Sequence, residues 1–195
     1  MKNIGLIAGV GRLPVEFAKA AQAMGVKIIA IGVVPGVDED LAKVAAQYQA
    51  IGVGELRKLM DCLKAAEVTQ VTMLGKVTKE LMFSGQVALD QEMQALLAAL
   101  PDHSDDMIML GFVKRLAMEG IGVLDQTAFL KPLLPAPGVL SEREPSEAEK
   151  ADIEYGFKMA KASGELDLGQ TVVVKDGAVM AIEAPPAFAR AAIPL

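Results

Sequence analysis

The chain has 195 residues, 52% apolar and 23% charged, which suits a globular protein with one large or two small cores and excludes a disordered chain. A net charge of −6 at pH 7 argues against a nucleic-acid surface, which needs clustered Lys and Arg. No apolar run reaches the roughly 20 residues of a spanning helix, Met1-Lys2-Asn3 leads straight into a strand pattern without a signal-peptide h-region, and the single Cys62 leaves no internal disulfide, so a cytoplasmic setting is expected.

The first predicted strand is Ile4–Ala8, ending at Gly9. A helix over Val15–Met24 follows Pro14, a residue tolerated in a first helical turn. Val26–Ile31 is the second strand, ending at Gly32. Glu55–Ala66 carries Leu56, Leu59, Met60 and Leu63 at helical spacing. The strand Val71–Leu74 ends at Gly75, and Leu89–Leu100 and Met107–Met118 repeat the helical pattern before a strand at Ile121–Leu124. Strands alternating with helices predict an α/β fold, a Rossmann-like parallel sheet with right-handed crossovers. This nucleotide-binding domain is expected over residues 1–130.

The proline-bearing stretch 131–145 then predicts a linker. A smaller α+β domain is expected over 146–195. Its helix starts at Ser146, with Glu149 three residues on in a capping-box pattern. Asp176-Gly177 between Thr171–Lys175 and Ala178–Ala184 predicts a β-hairpin, because the tight turn needs positive φ. A helix and a hairpin make a thin domain, since small units bury little apolar surface. The 11 methionines, with no tryptophan, suit an adaptable apolar core or groove.

Residues with chemistry cluster at strand ends. Gly9-Val10-Gly11-Arg12-Leu13-Pro14 lies between a strand and a helix, where backbone can approach a phosphate and the helix N-terminus favours the anion. The same turn also occurs in βα units without a ligand. It is not the dinucleotide fingerprint: Pro14 stands where a third glycine belongs, and Gly32-Val33-Val34-Pro35 lacks the acidic residue that would hold a ribose. Lys76 after Gly75 is placed to reach a phosphate, or is a solvated loop lysine. Asp105-Asp106 opens a helix, as caps or as ligands of a divalent metal. His103, the only histidine, is a poor zinc ligand by itself, and Cys62 within its helix is read as packed and inert.

In order, these segments resemble one bacterial family. The opening Ile4-Gly5-Leu6-Ile7-Ala8-Gly9 with Gly11 and Leu13-Pro14 is similar to that family's, as are Leu74-Gly75-Lys76-Val77, Asp105-Asp106, and Val123-Leu124-Asp125-Gln126-Thr127 with Phe129-Leu130. So are Asp152-Ile153 with Gly156, Leu166–Val174, and Ala181-Ile182-Glu183-Ala184. The family is the LpxI-type UDP-2,3-diacylglucosamine diphosphatase of lipid A biosynthesis. The resemblance implies two domains with the ligand between them, and hydrolysis of the substrate's diphosphate bond, with Mg2+ assisting, to UMP and 2,3-diacylglucosamine 1-phosphate. It also implies a homodimer in a Gram-negative cytoplasm, in transient contact with the inner-membrane surface. The residues it assigns to substrate are Gly9, Gly11, Arg12, Leu13, Pro14, Gly75, Lys76, Val77, Gln126, Thr127 and Gln170.

The resemblance weakens after Ala184, where Pro185-Pro186-Ala187-Phe188-Ala189-Arg190 replaces the family's acidic segment and its further strands. The family's metal-binding acidic residue is expected in that segment. A truncated or frame-shifted member without substantial hydrolase activity is therefore expected, with Asp105 and Asp106 as the catalytic candidates inside the chain. The alternative is a non-catalytic module that binds a nucleotide or a partner. An NAD-linked oxidoreductase is disfavoured by the missing acidic residue after the second strand.

Overall fold

The computed structural model describes residues 3–77, 87–102, 105–166, 168–169 and 171–182, without the side chains of residues 105 and 106. His103, Gln170, Glu183 and Ala184 lie outside the described residues. The chain forms two compact units, Met1–Pro135 and Ala136–Leu195.

The first unit is an α/β layer structure. In chain order it runs β1 (Asn3–Ala8), α1 (Leu13–Ala23), β2 (Lys27–Gly32), α2 (Asp40–Val44), β3 (Gln47–Ala50), α3 (Leu56–Ala65), β4 (Gln70–Leu74), α4 (Gln91–Ala98), α5 (Asp105–Met118) and β5 (Gly122–Val123). The strands form one sheet of order β3-β2-β1-β4-β5, and every pairing is parallel. From β1 the chain moves outward through β2 and β3, then crosses back to set β4 on the other side of β1. The β1/β4 boundary is therefore the topological switch point, and a crevice opens there at the carboxyl ends of the strands.

Both sheet faces are covered, which is why β1 and β2 read as near-continuous apolar runs. Alternation still sorts their side chains. Ile4, Leu6 and Ala8 pack with Ile28, Ala30 and the inward face of α1, where Phe17, Ala18 and Ala21 are fully buried. Ile7, Ile29, Ile31 and Val71 face the opposite layer of α3, α4 and α5. Two elements go beyond the sequence expectation. β3 is a polar edge strand, Gln47-Tyr48-Gln49-Ala50, and α2 is a five-residue helix leading into it. The Tyr48 hydroxyl lies over Gly32, where a Cβ would collide with it.

Among the described residues one buried polar side chain is unsatisfied. Thr72 in β4 is fully buried, and its hydroxyl finds no hydrogen-bond partner. Val keeps the β-branched shape and removes the orphaned group, whose burial costs about 1–3 kcal/mol. Thr72→Val should therefore raise stability by about 1 kcal/mol in urea denaturation, with an unchanged m value. A loss of stability would mean that the hydroxyl has a partner in solution.

The second unit holds α6 (Glu147–Glu165) and a hairpin of β6 (Val172–Lys175) and β7 (Ala178–Ile182). Ser146 and Glu149 form a complete capping box. Arg143 grips the Glu149 carboxylate through both terminal nitrogens, at 2.6 and 2.8 Å, and together with the Ser146 donors keeps that carboxyl ionised well below the usual range. Asp176 and Gly177 both have positive φ, as the sequence signal requires. The turn is held by Asp152 on α6, whose two carboxylate oxygens accept the N–H groups of Asp176 and Gly177 at 2.9 and 2.7 Å. One turn of helix further on, a Cβ at Gly156 would lie 3.2 Å from Val174, so the missing side chain lets α6 sit close on the hairpin. Among the described residues no helix is long and apolar enough to cross a membrane.

Candidate functional site

The site is built from two turns at the switch point. The Gly9 N–H donates to the Leu74 carbonyl at 2.8 Å. Val10 and Lys76 then exchange both backbone hydrogen bonds, at 2.9 and 2.8 Å, in an isolated antiparallel bridge. The β1–α1 turn and the turn after β4 are thereby joined backbone to backbone. Only glycine fits at their crossing: a Cβ on Gly9 would lie 2.5 Å from the Lys76 carbonyl oxygen, and one on Gly75 would lie 2.7 Å from Gly9 backbone atoms.

Beyond the bridge the first turn opens. Gly11 has φ +122, and a Cβ there would meet nothing within 4 Å. The chain then enters α1 through Arg12 and the buried Pro14, with no side-chain cap. Among the described residues the N–H groups of Gly11, Arg12 and Leu13 have no hydrogen-bond acceptor. They are orphan donors of the kind that helix starts offer to anions. The turns bound an open cleft of about 450 Å3, lined by Gly11, Arg12, Leu13, Gly75, Lys76 and Gln126 among others.

The charges in this cleft differ in how firmly they are engaged. Arg12 is held on three sides: Nη1 donates to Asp38 at 3.0 Å and to Asp40 at 2.7 Å, and Nε donates to Glu16 at 3.1 Å. Hydrogen bonds from Arg12 and Lys43 bring the Asp40 carboxyl down to about 2. The Asp40 backbone N–H, followed by Arg12, holds that of Asp38 low as well. Lys76 is exposed and makes no ion pair with a described residue, so its charge is available to an incoming anion.

The third wall comes from the segment after β5. The Gln126 side-chain amide donates to the Met73 carbonyl at 2.9 Å, which ties this segment to the end of β4. Thr127 is turned onto Asp125, which accepts both its N–H and its hydroxyl at 2.7 Å and is thereby kept ionised below its ordinary range. The Phe129 ring meets Phe17 edge-on at 5.1 Å and anchors the segment to α1. Of the residues named from sequence, the cleft thus gathers Gly11, Arg12, Leu13, Gly75, Lys76 and Gln126. Gly9 lies at the crossing beneath, Pro14 is buried in the first turn of α1, and Val77 faces a second cavity. Thr127 stands aside on Asp125, and Gln170 is outside the described residues.

The second cavity answers to the apolar groove that the methionine content left open, at a place the sequence did not indicate. It measures about 250 Å3 and lies between the strand ends and α3, α4 and α5. Met73, Leu74, Gly75 and Gln126 border both spaces. Its only sequence signal is the methionine content, since Met73, Met93 and Met109 are far apart in the chain and look like ordinary core positions.

None of the described His, Cys, Asp and Glu side chains form a group of three that could hold a metal. Glu16, Asp38 and Asp40, the carboxylates hydrogen-bonded at the glycine turn, are all engaged by Arg12. Asp105 and Asp106 open α5, and their side chains are not described. Cys62 is half-buried, and burial pushes its thiol up, away from a reactive thiolate.

Comparison with known proteins places these units. The UDP-2,3-diacylglucosamine pyrophosphatase LpxI of Caulobacter vibrioides is 28% identical over 186 residues, 94% of this chain. The chain spans 65% of that relative's length. Solved structures resemble it only loosely. N5-carboxyaminoimidazole ribonucleotide synthetase from Thermotoga maritima is 18% identical with a TM-score of 0.40, covering 100% of this chain and 44% of its own. Glycinamide-RNase-transformylase T from Mycobacterium tuberculosis is 11% identical with a TM-score of 0.41, covering 86% and 36%. The LpxI N-terminal domain family matches residues 3–133 and the LpxI C-terminal domain family residues 136–186, so the chain belongs to the LpxI family.

Proposed function

We propose that the cleft binds the diphosphate of UDP-2,3-diacylglucosamine, and that the protein acts in lipid A biosynthesis by hydrolysing this bond to UMP and 2,3-diacylglucosamine 1-phosphate. The observation that carries this reading is the pair of bridged glycine turns at the switch point, with Gly11 open and Lys76 at the mouth. Orphan N–H donors at the start of α1 would meet phosphate oxygens, and Lys76 would offset their negative charge. In the reaction, the oxygen of water forms the new bond to the α-phosphorus. The bond from that phosphorus to the bridging oxygen breaks, and the sugar 1-phosphate leaves with that oxygen. The role of these residues is to hold and orient the diphosphate. The homodimer and the transient membrane-surface contact implied by the family belong to the same proposal.

A second reading, nucleotide binding without turnover, is supported by the described residues that line the cleft, which include no carboxylate. Two measurements separate the readings: calorimetry with UDP, and UMP release from UDP-2,3-diacylglucosamine with Mg2+. Binding with UMP release supports the hydrolase, and binding without it supports the module. Failure to bind UDP removes both.

Lys76 supplies a finer test. Lys76→Ala should weaken UDP binding about threefold to tenfold at low salt, about 0.7–1.4 kcal/mol, and less at high salt, where screening already reduces an exposed charge. Uridine affinity should not change. Equal losses for uridine and UDP would remove Lys76 from the phosphate end.

A further inference from the structure

Arg12 stands at the start of α1 and lines the polar cleft. Its three carboxylate partners reach it from two directions. Glu16 lies one turn further along α1, while Asp38 and Asp40 come from the segment that follows β2. Each of these anchors has support of its own. The Asp40 N–H donates to the Asp38 carboxylate at 3.0 Å, Lys43 pairs with Asp40 at 2.8 Å, and Lys19 pairs with Glu16 at 3.3 Å. Three cations, Arg12, Lys19 and Lys43, thus meet three carboxylates, and the cluster is neutral as a whole. It offers an approaching anion no net field, in contrast to the unpaired Lys76.

What it can offer is direction. A guanidinium carries five N–H donors in a rigid planar fork. Nε gives its one to Glu16, and Nη1 gives its two to Asp38 and Asp40. Among the described residues the pair on Nη2 has no acceptor. Ion pairs as exposed as these add little to stability, because water screens them and long side chains lose rotamer freedom in making them. Stability is therefore a poor reason for three to converge on one side chain. Convergence fixes the plane of the fork instead. The ordering cost then falls on folding, and a ligand does not meet it again on binding.

We propose that Glu16, Asp38 and Asp40 are positioning residues, which hold Arg12 so that its Nη2 N–H groups donate to a phosphate oxygen of the ligand in the cleft. This role rests on the phosphate-binding function proposed above. Arg12 supplies a directed pair of donors, and Lys76 an unrestrained charge.

The test measures UDP, inorganic pyrophosphate and uridine by calorimetry on the full chain, with thermal melting to show that each variant folds. Arg12→Met should weaken UDP and pyrophosphate about tenfold and leave uridine unchanged. Arg12→Lys keeps the charge but loses the fork, and should still bind both at least about fivefold more weakly than wild type. The sharpest variant is Asp38→Ala combined with Asp40→Ala. By charge alone, removing two carboxylates beside the cleft should strengthen anion binding. Loss of positioning should instead weaken UDP and pyrophosphate by at least about threefold, with Asp38→Ala alone falling between this and wild type.

Unchanged or stronger UDP binding in the double variant would overturn the inference and leave the proposed function standing. Full recovery in Arg12→Lys would do the same, since charge would then suffice. Equal losses for uridine and UDP would also overturn it, because that pattern belongs to a general loss of structure. Wild-type protein that binds pyrophosphate but not UDP, with the same losses in the variants, would keep the role of Arg12 and remove the nucleotide. Wild-type protein that binds neither would remove the proposed function and this inference with it.

Discussion

Gly75→Ala should lower the melting temperature by roughly 10 °C. Two causes act together. Gly75 has φ +92, a conformation that costs an L-residue about 1–3 kcal/mol, and its new Cβ would lie 2.7 Å from the carbonyl carbon and oxygen of Gly9. The atoms that would have to move are backbone atoms held by the Val10–Lys76 bridge, so relief by side-chain rotation is closed off. Overpacking adds about 1–3 kcal/mol, for a total of about 2–6 kcal/mol. In a protein of this size each kcal/mol lowers the melting temperature by about 2–4 °C. UDP binding should be lost even at temperatures where the variant remains folded, because the two turns could no longer meet. A melting temperature within 2 °C of wild type, a rough threshold set well below that range, would show that the turns are not in contact in solution.

Gly11→Val should separate binding from folding. Its φ of +122 also favours glycine, but nothing stands within 4 Å of the missing Cβ, so only the local turn bears the strain. A branched side chain there would project into the space where backbone N–H groups must reach the phosphate. UDP affinity should fall at least tenfold, about 1.4 kcal/mol, with a melting temperature much closer to wild type than that of Gly75→Ala. Calorimetry with UDP on the folded variant is the measurement. Unchanged affinity would take this turn out of the ligand site.

The sequence made the central sheet readable because β1, β2 and β4 are buried on both faces. Such strands need runs like Ile4–Ala8 and Val26–Ile31, which end in glycine turns. β3 escaped for the opposite reason. At the edge of the sheet its four residues, Gln47-Tyr48-Gln49-Ala50, meet solvent, so no apolar run marks them. The capping box and the hairpin were legible because each is a local rule, satisfied within four or five residues. The proximity of the two glycine turns followed from parallel topology, since both leave the same end of the sheet. What sequence could not supply was the long-range detail: that Asp38 and Asp40 fold back onto Arg12, or that Val10 bonds to Lys76. The apolar cavity was least visible, because its methionines have the composition of core and only their three-dimensional spacing leaves a space between them.

The bridge between Val10 and Lys76 also orders events as the chain acquires its structure. Its two halves are separated by α1, β2, α2, β3, α3 and β4, so loop closure must gather that whole stretch before the bridge can form. A nascent or partly unfolded chain can possess α1 and either glycine turn and still have no cleft. The cleft is thus a late product of assembly, a record that the most distant pairing in the sheet has closed. A ligand held there would stabilise only the fully assembled unit, because no earlier intermediate offers both walls.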